Sequence, residues 1–334
     1  MGDTDRVKAI LETMTYQFTH EGKPWMKPKT KLYNAYINAW ATSGQKDSAL
    51  KAEEILRMMT DSSIKGDIDL NPDKISFTSV IHAYAKCGAG ERAEELLRLM
   101  EKMHKQGNKD VKPDSTTYNA VINAWAKSNE RGAAVRAEDL LKEMYAMFEN
   151  GDKDVSPCSV SFNSVLNALS KSNEKGSAKK AENILQWMEH HSKRTNKNAK
   201  PNIISYNTVI NALSNAGEKN SGQRAEKILQ KMEILHKNND NDVVPDTKIY
   251  NNVIKILARS NEKGSAKRAE NLLRKMFYLS KYEYSNINPN TISFTTVINA
   301  WMKSDEKGAL LKAKKVSQMM EKYRRNQIIK RNRS

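Results

Sequence analysis

Small amide and hydroxyl side chains return along this chain at a nearly constant interval. Asn34, Thr78, Asn119, Asn163, Asn207, Asn251 and Thr295 lie 44 residues apart, except for one step of 41. Further polar groups follow each of them four and eight positions on, as in Asn119, Asn123, Lys127 and Asn163, Asn167, Lys171. The other copies read Asn34, Asn38, Thr42; Thr78, His82, Lys86; Asn207, Asn211, Asn215; Asn251, Lys255, Arg259; and Thr295, Asn299, Lys303. Residues four apart share a helix face, so each triplet is a polar stripe, in most copies with a basic end. Asn is a mediocre helix former, yet it holds five of the seven leading positions and Thr the other two. A small amide or hydroxyl at a regular interval is what reading nucleobase edges by hydrogen bonds requires. Lys86, Lys127, Lys171, Arg259 and Lys303 would then meet phosphates, or else are plainly solvated. Asn38, Asn123, Asn167, Asn211 and Asn299, in mid-stripe, have a second reading as amides that bond between adjacent helices and hold a stack in register.

Other chemistries find no support. A zinc deaminase needs His-x-Glu and Pro-Cys-x-x-Cys, and the sequence has neither. No cluster of Asp lies outside the repeats to serve a metal nuclease. His190-His191 is the one His pair, at the loop end of a helix, and reads as solvated. Gly176-Ser177-Ala178-Lys179 lacks the spaced glycines and preceding strand of a phosphate loop. The expectation is a binder with no catalytic residues, no cofactor and no metal.

The elements that carry the stripes follow from the same period. Pro-x-x-x-x-Tyr/Phe-Asn recurs from Pro28 to Asn34, Pro113 to Asn119, Pro157 to Asn163, Pro201 to Asn207 and Pro245 to Asn251, and Pro72 and Pro289 open versions ending in Thr78 and Thr295. Phased after each Pro-x, the units are 30–73, 74–114, 115–158, 159–202, 203–246 and 247–290, with an incomplete one over 291–325. Residues 1–29 read as the tail of a preceding unit, its second helix over Arg6–Tyr16, and 326–334 as a basic tail. In 115–158, Asp114 or Ser115 caps a first helix carrying Tyr118, Val121, Ile122 and Trp125 on one face. Ser128 to Gly132 makes a turn, and a second helix buries Ala137, Leu140, Leu141, Met144, Met147 and Phe148. The polar segment before each Pro, such as 190–200, reads as a solvated loop. Neither helix can bury its stripe alone, so hairpins must stack. The pattern predicts an all-α fold, a right-handed α-α superhelix of stacked hairpins without independent domains.

Composition sets the partner class. A net charge of +17 and a pI near 9.6 predict a polyanion such as nucleic acid, and no apolar run is long enough to span a membrane. Cys87 and Cys158 alone make neither a disulfide framework nor a zinc site, which suits a reducing compartment. Met1 to Asp5 has neither a secretory core nor an Arg-rich, acid-poor transit start, and Arg6 argues against myristoylation at Gly2.

In the recurring Tyr/Phe-Asn-x-Val-Ile-Asn-Ala, then Ala-Glu-x-Leu-Leu-x-x-Met, then Pro-Asp, the chain resembles the pentatricopeptide repeat family over about residues 6–325. The units are longer than the family's usual one, the extra residues falling in the inter-helix turn and before the Pro. The resemblance implies single-stranded RNA as partner, one base per repeat, in a mitochondrion or plastid. It assigns base choice to the fifth residue of a unit together with the residue after its closing Pro. Asn34 with Asp73 then implies U, Thr78 with Asp114 G, and Asn207 with Asp246 U. Asn163 with Asn202 and Asn251 with Asn290 imply a pyrimidine. Asn119 with Cys158 lies outside the usual pairs and leans to a pyrimidine, and Thr295 to a purine. Lys31, Ile75, Thr116, Val160, Ile204, Lys248 and Ile292 would sandwich the bases, although Lys31, Thr116 and Lys248 depart from the usual aliphatic. The implied site is 5′-UGYYUYR-3′, bound by a monomer that leaves any catalysis to protein partners. A protein-binding solenoid or a sequence-indifferent RNA or ribosome-associated factor are the competing expectations.

Overall fold

The computed structural model describes residues 2–172, 174–194, 196–260, 262–282 and 286–331, with the side chains of 282 and 327–331 outside the description. Asn173 and Asn261 of the inter-helix turns and residues 332–334 of the basic tail, like Met1, therefore lie outside the described residues. The described residues are α-helices joined by turns, with no strand among them. The helices alternate between the two kinds expected from the period. An opening α1 (Asp3–Thr19) is followed by hairpins α2 (Thr30–Thr42) with α3 (Ser48–Ile64), α4 (Lys74–Cys87) with α5 (Gly90–Lys105), and α6 (Ser115–Lys127) with α7 (Ala133–Glu149). Then come α8 (Ser159–Lys171) with α9 (Ser177–Arg194), α10 (Ile203–Ala216) with α11 (Ser221–Lys237), α12 (Thr247–Arg259) with α13 (Ser265–Tyr282), and α14 (Thr291–Met302) with α15 (Ala309–Arg331).

The chain forms two compact units, Met1–Ala168 and Leu169–Ser334. In the first, α4 packs against α2 and α6; in the second, α12 packs against α10 and α14. Successive first helices thus stack on one another within each unit, and α3, α5, α9, α11 and α13 each lie against the first helix of the next hairpin. Burial explains the stack. Tyr118, Val121 and Ile122 are at most 1% exposed and Trp125 is 8% exposed. The Met that ends each Ala-Glu-x-Leu-Leu-x-x-Met run is fully buried: Met59, Met100 and Met144 in the first unit, Met188, Met232 and Met276 in the second. Each such side chain contributes about 1.5–3 kcal/mol on leaving water. The short turn between α4 and α5 leads into a glycine at the start of α5 that the packing requires. A side chain on Gly90 would collide with the Trp125 ring, 2.4 Å from the added carbon.

The segment before each Pro is not the solvated loop that its polar composition predicts. It winds into a 3-10 turn at Ile68–Leu70, Lys109–Val111, Lys153–Val155, Lys197–Ala199 and Asn241–Val243. The residue two before the Pro is buried in every case: Leu70, Val111, Val155, Ala199 and Val243. Asp67, Asn108, Asp152, Asn196 and Asp240 each accept from the backbone N–H two residues on and start the turn. An apolar residue two before the Pro and an Asp or Asn five before it are signals the sequence carries but its polar neighbours obscure.

Charged side chains tie the hairpins together. Lys27 reaches Asp67 at 2.7 Å and Asp69 at 3.1 Å. Lys112 reaches Asp152 at 3.0 Å and Asp154 at 2.8 Å, and Lys200 reaches Asp240 and Asp242 at 2.8 and 2.9 Å. Hydrogen bonds to these carboxylates hold all three lysines above the ordinary lysine range. On the second helices, Arg92 pairs with Glu53 and Arg136 with Glu94, while Arg224 reaches Glu182 and Arg268 reaches Glu226, each at 2.8 Å. Much of the positive charge is therefore structural.

Candidate nucleic-acid interface

The fifth residue of a unit and the residue after its closing Pro come from different hairpins, yet they meet. Asn34 Nδ2 donates to Asp73 Oδ1 at 3.0 Å, and Asn251 Nδ2 donates to Asn290 Oδ1 at 3.3 Å. Asn119 Nδ2 points at Cys158 Sγ at 3.7 Å. The post-Pro residues also cap the next helix, as their types predict: Asp73, Asp114, Asn202, Asp246 and Asn290 all accept from first-turn backbone N–H groups. Capping and contact with the amide are thus two tasks of one side chain.

A third residue completes the arrangement, one that the stripe and the caps do not reveal. The third position of the units from 74 onward is Ser76, Thr117, Ser161, Ser205 or Ser293, all fully buried, with Ile249 the exception; the first unit has Leu32 there. Ser76 Oγ donates to Asn34 Oδ1 at 2.6 Å while accepting the Asp73 backbone N–H at 3.1 Å. Ser293 does the same for Asn251 and Asn290, at 2.6 and 3.1 Å. Thr78 and Thr117 share a hydroxyl–hydroxyl bond of 3.0 Å. Where the cap is Cys158 the ring of bonds fails: Asn119 Oδ1 is buried without a hydrogen-bond partner. The signal available in sequence was the capping-box spacing of a hydroxyl three residues after each cap.

The remaining predicted residues divide. Ile75, Val160, Ile204 and Ile292 project from first helical turns and are 59, 56, 58 and 62% exposed; Lys31, Thr116 and Lys248 are exposed at the same position. Thr295 is exposed and bonds back to the Thr291 carbonyl. Asn163 is half-buried. Asp246 caps through Ile249 N–H, and Asn207 Oδ1 accepts from Asn252 Nδ2 at 3.2 Å. Asp114 is less free than the spacing suggests. Its Oδ2 is held by Lys74 at 2.6 Å. Burial alone would raise its pKa, but Lys74 and the Thr117 backbone N–H hold the carboxyl below the usual aspartate range.

The basic edge is partly committed as well. Lys127, Lys171, Arg259 and Lys303 are exposed. Lys86 instead donates to the Ala41 carbonyl at 2.6 Å, and Asn215, at the same position, donates to the Ser170 carbonyl at 2.9 Å. Both satisfy carbonyls that a helix end leaves open. His82 is held below the ordinary histidine range by desolvation and then by Lys86. In mid-stripe, Asn211 does bond to a neighbouring helix, accepting from Asn252 at 3.0 Å, whereas Asn38 and Asn299 are exposed. His191 is not solvated. It is 1% exposed, because α9 runs on past it and sets it one turn beyond the buried Met188.

Comparison with known proteins follows the same lines. A family model described as the PPR repeat family matches residues 72–127, and one described as the pentatricopeptide repeat domain matches 192–257. No curated protein matches in sequence. Among solved structures, the chain is similar to the pentatricopeptide repeat protein PPR10 in complex with an 18-nt psaJ RNA element, at 19% identity and a TM-score of 0.45. That match covers 96% of this chain and 43% of the other, so the chain spans less than half the length of the solved protein. A triple cysteine-to-serine form of that protein with the same RNA element gives the same figures. The matched segments, one in each compact unit, are thus pentatricopeptide repeats by family model, and the aromatic-Asn and Pro-Asp motifs they carry recur from end to end of the chain.

Proposed function

We propose that the chain binds single-stranded RNA sequence-specifically, one base per repeat, and acts in organellar RNA metabolism. One observation carries this reading. Large aliphatic side chains, Ile75, Val160, Ile204 and Ile292, stand more than half exposed at the same place on first helical turns. Each precedes by three residues a polar fifth residue, Thr78, Asn163, Asn207 or Thr295, while the fifth residues bonded to the next cap, Asn34 and Asn251, follow Lys31 and Lys248 at the same position. An apolar surface for the flat of a base beside a hydrogen-bonding pair for its edge is how single-stranded RNA is recognised. The chemistry of the pair supports the expected U at Asn34 and Asp73. Their mutual bond leaves one amide hydrogen and Asp73 Oδ2 uncommitted, a donor beside an acceptor, which complements a carbonyl and the N3–H of uracil. Two amides, Asn251 and Asn290, suit the carbonyl of a pyrimidine. The site 5′-UGYYUYR-3′ and the mitochondrial or plastid setting belong to the same proposal.

Selection from a random single-stranded RNA pool tests it. Replacing Asn207→Thr shifts the fifth base from U toward G, with discrimination of about 1–3 kcal/mol per well-made pair. An unchanged fifth base in a folded variant rejects the code. With Lys86 committed to Ala41, the remaining edge of Lys127, Lys171, Arg259 and Lys303 gives a log–log salt slope of about −3. Tighter binding to duplex than to single strand rejects the proposal outright.

A further inference from the structure

We propose that the buried hydroxyl at the third position of the following repeat fixes which way the reading amide faces at Asn34 and Asn251, and that Asn252 takes its place at Asn207, where Ile249 stands instead. The inference rests on the base reading proposed above and adds a positioning residue to these three reading pairs.

The bonds around Asn34 favour one orientation, the Ser76 hydroxyl lying 2.6 Å from Asn34 Oδ1 and 3.0 Å from Asp73 Oδ1. Ser76 Oγ accepts the Asp73 backbone N–H, so its own proton points elsewhere and reaches Asn34 Oδ1 at 2.6 Å. Asn34 Nδ2 then faces Asp73 Oδ1 at 3.0 Å. Turning the amide over would set its oxygen against a carboxylate oxygen and its N–H2 against a hydroxyl that should donate, so one orientation wins. Asn251, Asn290 and Ser293 repeat the arrangement with bonds of 2.6, 3.3 and 3.1 Å.

The exception makes the case. After Asn207 the third position is Ile249, buried and without a hydroxyl. There Asn252, one turn further along α12, donates to Asn207 Oδ1 at 3.2 Å and to Asn211 Oδ1 at 3.0 Å. The equivalent residues elsewhere are Ala35, Ser79, Ala120, Ser164, Thr208 and Thr296, so Asn occupies this position only where the hydroxyl is absent. The donor to the amide oxygen has moved, but the oxygen still has one. Function follows from the geometry. An amide that can turn over offers donor or acceptor alike and no longer separates uracil, which presents a carbonyl beside N3, from cytosine, which presents an amino group there. Ser76 and Ser293 also serve as caps, but Asn252 takes no part in capping α12, where Asp246 bonds Ile249 N–H. It therefore separates orientation from helix stability.

The test uses the full chain and measures Kd for RNAs carrying U or C at the fifth base, with the wild type, Asn207→Thr, Asn252→Leu, and Asn252→Leu combined with Ile249→Ser. Asn252→Leu lowers the U-over-C preference at that base alone by roughly tenfold, the size of one good pair. Adding Ile249→Ser returns a hydroxyl and restores the preference. In the first repeat, Ser76→Ala loses the preference at the first base and Ser76→Thr keeps it. If Asn207→Thr changes the fifth base while Asn252→Leu leaves the preference intact, or if the hydroxyl fails to restore it in a folded protein, the orienting role is overturned and base reading stands. If the wild type shows no preference at the fifth base, both fall together.

Discussion

The first and third repeats of this chain start from the same residue and arrive at different sites. Asn34 sits in a closed ring of bonds with Asp73 and Ser76, every group with a defined role. Asn119, in the equivalent place, faces a sulfur at 3.7 Å and keeps a buried oxygen without a partner. The difference is one residue, Cys158 for Asp73. Thiols are weak donors and weak acceptors, so Cys158 can neither hold the amide nor cap α8 as a carboxylate would. The proposed reading site is thus a property of three side chains from two hairpins, and at Cys158 a change in one leaves the amide of Asn119 without its oxygen's partner.

The contrast can be broken from the ordered side. Asp73→Ala removes the cap of α4 and the partner of Asn34 at once. A lost cap costs about 0.5–2 kcal/mol, and a buried amide left unpaired adds about 1–3 kcal/mol. Chemical denaturation should show a loss in that combined range, with discrimination at the first base abolished; a loss below about 0.5 kcal/mol would mean the ring contributes no more than solvent does.

It can also be sharpened from the other side. Cys158→Asp gives the third repeat the arrangement of the first, supplying an acceptor for Asn119 Nδ2 and a carboxylate cap for α8. The expected gain is about 1 kcal/mol, with the third base moving from a loose pyrimidine preference to U. An unchanged melting temperature and an unchanged third base would show that Ser161 does not turn toward Asn119 when the sulfur is gone.

The smallest effect concerns pH at the repeat between them. Asp114 has its folded pKa lowered by Lys74 and Thr117 against the opposing effect of burial. A carboxyl whose folded pKa lies below its unfolded value adds stability above the unfolded pKa and loses it as pH falls through the folded one. The stability advantage of the wild type over Asp114→Asn is therefore full near neutrality and disappears under acid. An advantage that persists below the carboxylate range would place its origin outside this ion pair.

How much of this was legible in the sequence depends on where partners lie. The apolar stripe of Tyr118, Val121, Ile122 and Trp125 was readable because helical spacing is local and the period repeats it. The caps were readable because Asp and Asn after Pro have one common local use. The 3-10 turns were hidden because Val155 or Val243 is one apolar residue among Lys, Asn and Asp, too few to make a pattern. Lys86 looked like a free cation because its acceptor, the Ala41 carbonyl, lies one hairpin back, and His191 looked solvated because a helix end was expected before it. The orientation of Asn34 depends on atoms 39 and 42 residues away, which only the stacking of hairpins brings close.

The lysines before Pro leave a last consequence. Lys27, Lys112 and Lys200 each grip an Asp-x-Asp pair in the next hairpin, while the intervening repeats carry Asn71, Ser156 and Val244 at that place. The hairpins that follow Asn71 and Ser156 open their turns with Asn108-Lys109-Asp110 and Asn196-Lys197-Asn198, not with two carboxylates. Odd and even hairpins are therefore different parts, and a recombination that deletes one of them sets Asn71 against Asp152 and Asp154, two negative charges with no counterion. Deleting or duplicating two at once keeps every lysine opposite its acids. By this charge pattern, the pair of hairpins is the smallest piece of the array that can be removed or repeated with its ion pairs intact.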